Sequence, residues 1–334
     1  MDYNYLGQTG LRLSAISMGT QTLGWNVFGK DAHTLLDMYV DAGGNYLDVA
    51  DSYNEGKSEK ILGAWLKDRK DLPDLVIGTK TFFPTGEGQN RRGLSRKHIY
   101  HSVDESLRRL NVEAIDIYQL HCFDEATSLE DVLSTMEDLI CAGKIRYFGL
   151  SNFTPSALMK AVLTQRNAGR HSIASLQLEY SLLVRSPEWE LLPVCIQEGI
   201  GVIAWSPLGG GWLTGKYKQN QAAPENSRVG RKDRWDDQEE QRGGDKTWRI
   251  IKALESIAGN RNVPVSQVAV NWLRKKPGVT TVLMGARNPS QLEANLGSRD
   301  WDMNEEEEQL LDSVSEIETP SPYNFISRYT RHLP

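Results

Sequence analysis

The chain is poor in cysteine, with only Cys122, Cys141 and Cys195 among 334 residues. An odd count without CxxC spacing excludes a disulfide scaffold and a four-cysteine zinc site. The six histidines are scattered and form no cluster at ligand spacing, so no metal is expected. Long apolar runs are also missing. A stretch such as Gly201–Trp205 is far shorter than the ~20 residues that cross a bilayer. The N-terminal Met1-Asp2-Tyr3-Asn4-Tyr5-Leu6 has neither the basic nor the apolar region of a signal peptide. Nor is there a surplus of positive charge: 38 Lys+Arg against 44 Asp+Glu leave a net charge of -6. That balance argues against broad contact with a phosphate backbone, although one small anion site stays open. The expectation is a cytoplasmic, reduced protein with no nucleic-acid and no membrane partner.

Two nucleotide motifs are absent as well. Gly210-Gly211-Trp212-Leu213-Thr214-Gly215-Lys216 fits GxxxxGK, but Tyr217 stands where a P-loop needs Ser or Thr, and no helical pattern follows. A Walker-type NTPase is rejected; the glycines still allow backbone to approach a pyrophosphate closely. No GxGxxG follows a strand near the N-terminus, which speaks against a Rossmann site.

What is present is an ordinary globular composition, 39% hydrophobic and 25% charged. Length alone suggests two domains, but α/β barrels of ~250 residues or more form one unit. Short β-branched runs alternate with helical spacing. Ile99, Val103, Leu107 and Leu110 share one face after Ser95, as do Val132, Leu133, Met136, Leu139 and Ile140 after Ser128. Ser128 with Asp131 resembles a capping box, Gly143 marks a helix end, and Thr154-Pro155 reads as a helix start.

Strands are expected near 15–19, 45–49, 75–80, 115–120, 145–150, 173–178, 201–206 and 279–284. Eight βα units favour a closed (β/α)8 TIM barrel, α/β in class, over an open sheet. Tyr3–Leu6 and Leu11–Leu13 read as a hairpin ahead of the barrel. Residues 216–246 have no clear period and follow the seventh strand, where a lid would sit; 302–334 form a C-terminal extension. The whole chain, 1–334, is read as one barrel domain.

In a barrel, a polar residue at the C-terminal end of a strand faces the active site. Asp48 closes the second strand, Tyr53 follows in its loop, Lys80 ends the third and His121 the fourth. An ammonium beside a phenol lowers the Tyr pKa from its ordinary ~10. The expectation is therefore a Tyr53 titrating towards neutrality, aided by Asp48 on Lys80 and by a His121 that orients a carbonyl oxygen. A general acid without nucleophile or metal points to hydride transfer from a cofactor.

With these residues the sequence resembles the aldo-keto reductase family over essentially its whole length. Gly43-Gly44-Asn45-Tyr46-Leu47-Asp48-Val49-Ala50-Asp51-Ser52-Tyr53 is similar to the family's catalytic signature, and Gly149–Phe153, Leu176-Gln177 and Trp205–Leu208 recur in matching order. The resemblance implies Asp48, Tyr53, Lys80 and His121 as the catalytic tetrad, with Tyr53 the proton donor. It implies Ser151, Asn152 and Gln177 on the nicotinamide carboxamide, with Trp205 stacked on the ring. Ser206, Pro207, Leu208, Gly209, Gly211 and Lys216 would follow the pyrophosphate. Gly285, Arg287 and Gln291 through Asn295 would hold the adenosine end.

Arg287 is the cation left in that last segment and favours NADPH over NADH. Trp25, Phe28, Phe82, Phe83 and Phe123 follow barrel strands and are expected at an apolar mouth for a small carbonyl substrate. The loop from Phe82 to Ser95 resembles members related to aryl-alcohol dehydrogenases and potassium-channel β subunits. A slow, cofactor-sensing regulatory subunit is therefore the rival to a reductase, and a homo-oligomer is compatible with either.

Overall fold

The computed structural model describes residues 1–69, 72–225, 227 and 243–330. Tyr3–Tyr5 (β1) and Arg12–Ser14 (β2) pair antiparallel as the expected hairpin. The barrel strands are Ile16–Gly19 (β3), Tyr46–Asp48 (β4), Val76–Thr81 (β5), Ile115–Leu120 (β6), Ile145–Ser151 (β7), Ser175–Glu179 (β8), Gly201–Trp205 (β9) and Val279–Met284 (β10). They close in the order β10-β3-β4-β5-β6-β7-β8-β9, and every pairing is parallel. The fold is thus the (β/α)8 barrel that the alternation implied.

The helices around it are Gly29–Asp41 (α1), Lys57–Lys67 (α2), Arg96–Leu110 (α3), Leu129–Cys141 (α4), Pro155–Asn167 (α5), Leu191–Glu198 (α6), Asp245–Arg261 (α7), Val265–Arg274 (α8) and Pro289–Leu296 (α9). Their starts follow local chemistry. Ser95, Ser128 and Thr154 accept hydrogen bonds from the backbone N–H of His98, Asp131 and Ala157, which relieves unpaired donors of the first turn. Asn111, in the left-handed region at φ 57, ends α3. The faces read from spacing are the faces that pack: Ile99, Val103 and Leu110 are buried, as are Val132, Leu133, Met136 and Leu139.

The hairpin closes the N-terminal end of the barrel. Leu6 and Leu13 are fully buried in a cluster with Tyr46, Val76, Ile117, Ala174, Ile203 and Leu283. Burying each such leucine contributes roughly 1.5–3 kcal/mol. Gly7 makes the approach possible: at φ +55, a Cβ there would lie 2.1 Å from Gly199 O.

Residues 216–225 contain no helix or strand, and α7 begins at Asp245, one residue before the expected loop ends. The rest of the expected lid, residue 226 and 228–242, lies outside the described residues. In the C-terminal extension, Glu305–Ser315 (α10) packs on α7 through buried Leu311 and the Arg261–Glu307 pair at 2.7 Å. Tyr323–Thr330 (α11) follows, and 331–334 lie outside the described residues. No helix among the described residues is long and apolar enough to cross a membrane.

Candidate active site

Parallel closure brings all strand C-termini to one rim. Asp48 is the last residue of β4, Lys80 the penultimate residue of β5, and His121 directly follows β6. Lys80 Nζ donates to Asp48 Oδ2 at 2.5 Å and to Val49 O at 2.8 Å, and it lies 3.4 Å from Tyr53 OH. The Tyr53 and His121 rings meet edge to face, with centroids 5.9 Å apart. The four residues singled out by strand position therefore form one group, on three adjacent strands and one loop.

Tyr53 is held by a second loop. Asn54, Glu55 and Gly56 all adopt positive φ, which folds the chain sharply after Tyr53 into α2. Asn54 Nδ2 donates to Gln21 O at 2.8 Å and Leu23 O at 2.7 Å, and Ser58 Oγ donates to Thr20 O at 2.9 Å. The β3–α1 loop is thereby stitched to the Tyr53 turn. Asn54 was not singled out from the sequence, although an Asn before a Glu-Gly turn is a left-handed signal.

The electrostatics correct one expectation. Burial raises the Tyr53 phenol above its ordinary value; Lys80 pulls the other way, but Asp48 adds to the rise. Lys80 is engaged by Asp48, so its field at the phenol is partly compensated, and Tyr53 does not titrate towards neutrality. It stays protonated at neutral pH. Burial opposes the charge on Lys80, but Asp48 and Tyr53 outweigh it and the ammonium is held above its ordinary pKa. Burial, with Lys80 behind it, pushes His121 well below the usual imidazole range, so the ring is neutral at pH 7. Its buried Nδ1 takes no partner among the described residues.

The other oxygen of Asp48 is as tightly held. Oδ1 accepts from Tyr46 OH at 3.1 Å, Gln119 Nε2 at 3.1 Å and Gln177 Nε2 at 2.8 Å. Tyr46 and Gln119 are buried contributors that sequence reading missed. The available signal was period two: both point into the barrel, as Asp48 does. Behind β5, away from the cleft, Glu59 accepts from Thr79 Oγ1 at 2.7 Å and pairs with Arg109 at 2.6 Å. Asp51 lies in the same buried layer. Burial and the Glu59 charge raise its carboxyl to about 7, against the Thr81 and Ser102 hydroxyls and Arg109.

The residues expected at a cofactor line the remaining rim. Ser151 is buried at the end of β7, and Asn152, at φ 55, donates from Nδ2 to His121 O at 2.8 Å and Ser151 Oγ at 3.1 Å. Trp205 is half-buried at the end of β9. Ser206 follows at φ 56, then Pro207 and Leu208, and then Gly209, Gly210 and Gly211 at φ 54, 68 and 101. The Gly209 and Gly211 N–H groups already donate to Ser206 O and Leu208 O. Lys216 is exposed, and its Nζ would stand 2.5 Å from a Cβ on Gly211.

At the adenosine end, Gln291 Oε1 accepts from the Arg287 N–H at 2.9 Å, and Asn288 Oδ1 caps α9. Buried Asn295 donates to Gly285 O at 3.2 Å. Gln291 and Asn295 thus shape the loop that carries Arg287. At the mouth, the Phe83 ring lies 4.8 Å from His121 and 5.3 Å from Phe82. Phe123 packs instead on buried Phe153 at 5.2 Å. Phe28 is exposed and Trp25 half-buried.

The closed parallel barrel gathers a buried Lys–Asp pair, a protonated tyrosine and a neutral histidine at one rim, and among the described residues no group of His, Cys, Asp and Glu could hold a metal ion. The comparisons name its class. The model of the Aldo/keto reductase family matches residues 15–316, and the chain belongs to this family. A probable voltage-gated potassium channel subunit beta of Arabidopsis thaliana is 33% identical over 90% of this chain and 92% of its own length. An uncharacterized oxidoreductase of Bacillus subtilis, YrpG, is 31% identical over 97% of this chain and 99% of its own. Protein tas of Escherichia coli is 31% identical over 96% and 100% respectively. The family and the oxidoreductase-named relative support an oxidoreductase.

Proposed function

We propose that this protein reduces aldehydes and ketones to alcohols with NADPH, Tyr53 giving the proton. The observation that carries this reading is the Tyr53 hydroxyl held beside Lys80 and edge-on to His121. The rim also fits a nicotinamide dinucleotide. Gln177 Oε1 takes no hydrogen bond from the described residues, the glycine turn after Trp205 admits close backbone approach, and Arg287 stands at the N-terminus of α9. When bound, the reduced nicotinamide would supply the hydride.

The chain's own residues do the rest. Tyr53 donates its proton to the carbonyl oxygen, and Lys80 offsets the negative charge left on the phenol. Neutral His121 hydrogen-bonds the same oxygen and fixes its direction. Phe82 and Phe83 exclude water on that side and accept an apolar substituent. That the site draws on strands from β4 to β10 supports reading 1–334 as one catalytic domain.

Tyr53→Phe tests the assignment. The variant should still quench NADPH fluorescence on binding, yet lose on the order of 10²–10⁴ in turnover. Retained reduction at neutral pH would refute it. A second reading, a slow cofactor-sensing regulatory subunit, is favoured by the likeness to the plant channel subunit. Steady-state reduction of 4-nitrobenzaldehyde separates the two: rapid turnover supports the enzyme, and turnover slower than cofactor release supports the sensor.

A further inference from the structure

One layer inside the barrel has no part in proton donation and yet touches both halves of the site. Gln119 Nε2 donates to Asp48 Oδ1 at 3.1 Å and to Tyr46 OH at 3.3 Å. Gln177 Nε2 donates to Asp48 Oδ1 at 2.8 Å and to Gln119 Oε1 at 3.2 Å. All four amide protons therefore have named acceptors within a set of side chains at most 3% exposed.

The direction of each amide follows from one group. A carboxylate paired with an ammonium can only accept, so both amide nitrogens must face Asp48. Gln119 then has only its oxygen to offer Gln177. Turning the Gln177 amide over would set its oxygen against Asp48 Oδ1 and against Gln119 Oε1, two contacts between lone pairs. The Gln177 oxygen is accordingly the end directed away from the Asp48 layer.

The barrel makes room for this layer. A Cβ on Gly78 would lie 2.4 Å from the Tyr46 hydroxyl oxygen, and one on Gly149 would lie 2.2 Å from Ser175 Oγ and 3.3 Å from Gln119 Cγ. Glycines on β5 and β7 thus admit Tyr46 and the Gln119 stem.

We propose that Gln119, anchored by Tyr46, is a positioning residue that fixes the sense of the Gln177 amide, so that its oxygen meets the N–H₂ of the cofactor carboxamide. The proposal rests on the cofactor reading above. It ties the Asp48–Lys80 pair to the nicotinamide seat through a neutral bridge. Gln119 touches neither cofactor nor substrate; Gln177 keeps one anchor without it, on Asp48, and loses the contact that penalises the flipped amide.

The test compares dissociation constants for NADPH and for its reduced 3-acetylpyridine analogue, whose acetyl group has no N–H to give. Wild-type protein should prefer NADPH on the order of tenfold, the worth of one net hydrogen bond. In Gln119→Leu the preference should fall to within about twofold, since a flipped Gln177 can only donate, and the carbonyl oxygen of either ligand accepts equally. Tyr46→Phe, which removes only the anchoring hydroxyl, should give an intermediate ratio. A merely structural role weakens both ligands in proportion and leaves the ratio at its wild-type value; that result overturns the proposal. If Gln119→Leu does not fold, an unchanged ratio in Tyr46→Phe overturns it equally. Wild-type protein that binds neither dinucleotide refutes the cofactor reading itself. Wild-type binding of both with equal affinity refutes only the amide direction argued here.

Discussion

Lys80 Nζ lies 2.5 Å from Asp48 Oδ2, with the two side chains 0% and 2% exposed. Burying two charges is costly, so the pair persists by pairing and by the three further donors on Oδ1. Asp48→Asn leaves an uncompensated ammonium inside the barrel. Equilibrium urea unfolding should show a loss of about 3–5 kcal/mol, with much of it recovered in Asp48→Asn/Lys80→Met. A single variant as stable as the double would mean that the pair does not act as a unit.

Asp51 makes stability depend on pH in the direction opposite to most carboxylates. Its carboxyl is raised from 3.8 to about 7 by burial and the nearby Glu59 charge. Below pH 3.8 the acid is protonated both folded and unfolded, and it contributes nothing. Between there and about pH 7 the unfolded chain releases the proton and the fold retains it, so stability falls as pH rises. The slope is roughly 1.4 kcal/mol per pH unit at most. Asp51→Asn should therefore gain stability relative to wild type across that window and hold a constant lead above it. Thermal melts that run parallel from acid to neutral pH would contradict this.

Gly7 tests how the hairpin seals the barrel. An alanine Cβ would meet backbone atoms, Gly199 O at 2.1 Å and Gly201 N at 2.8 Å, at a φ of +55. Backbone cannot yield as a flexible side chain can, so Gly7→Ala should cost on the order of 2–4 kcal/mol. A change below about 0.5 kcal/mol, the usual scatter of surface substitutions, would show that the hairpin is free to shift.

On the cofactor reading proposed above, Arg287 favours NADPH. Arg287→Glu should weaken NADPH by on the order of tenfold or more and leave NADH nearly unchanged, since only the former places a phosphate there. Equal effects on both dinucleotides, measured by fluorescence quenching, would remove Arg287 from the site.

Much of this was legible from local pattern. Helix faces such as Ile99, Val103 and Leu110 repeat at helical spacing because burial acts on neighbours a turn apart. Asp48, Lys80 and His121 were legible because strand direction alone puts the C-terminal ends on one rim. Chain position alone did not show that Phe123 packs on Phe153: following a strand does not say which neighbours a ring meets.

The sequence by itself determined the alternation of strand and helix, the closed parallel barrel and the placing of Asp48, Lys80 and His121 at one rim. Each of these depends on periodicity or on chain direction, which are local properties. Tertiary structure decided the rest. Tyr53 keeps its proton because burial and Asp48 together outweigh Lys80, a balance of three groups that no spacing reveals. Tyr46, Gln119 and Gln177, drawn from β4, β6 and β8, converge on a single carboxylate oxygen. Hydrogen-bond direction and desolvation are set by everything packed around a group, and they exist only once the barrel has closed.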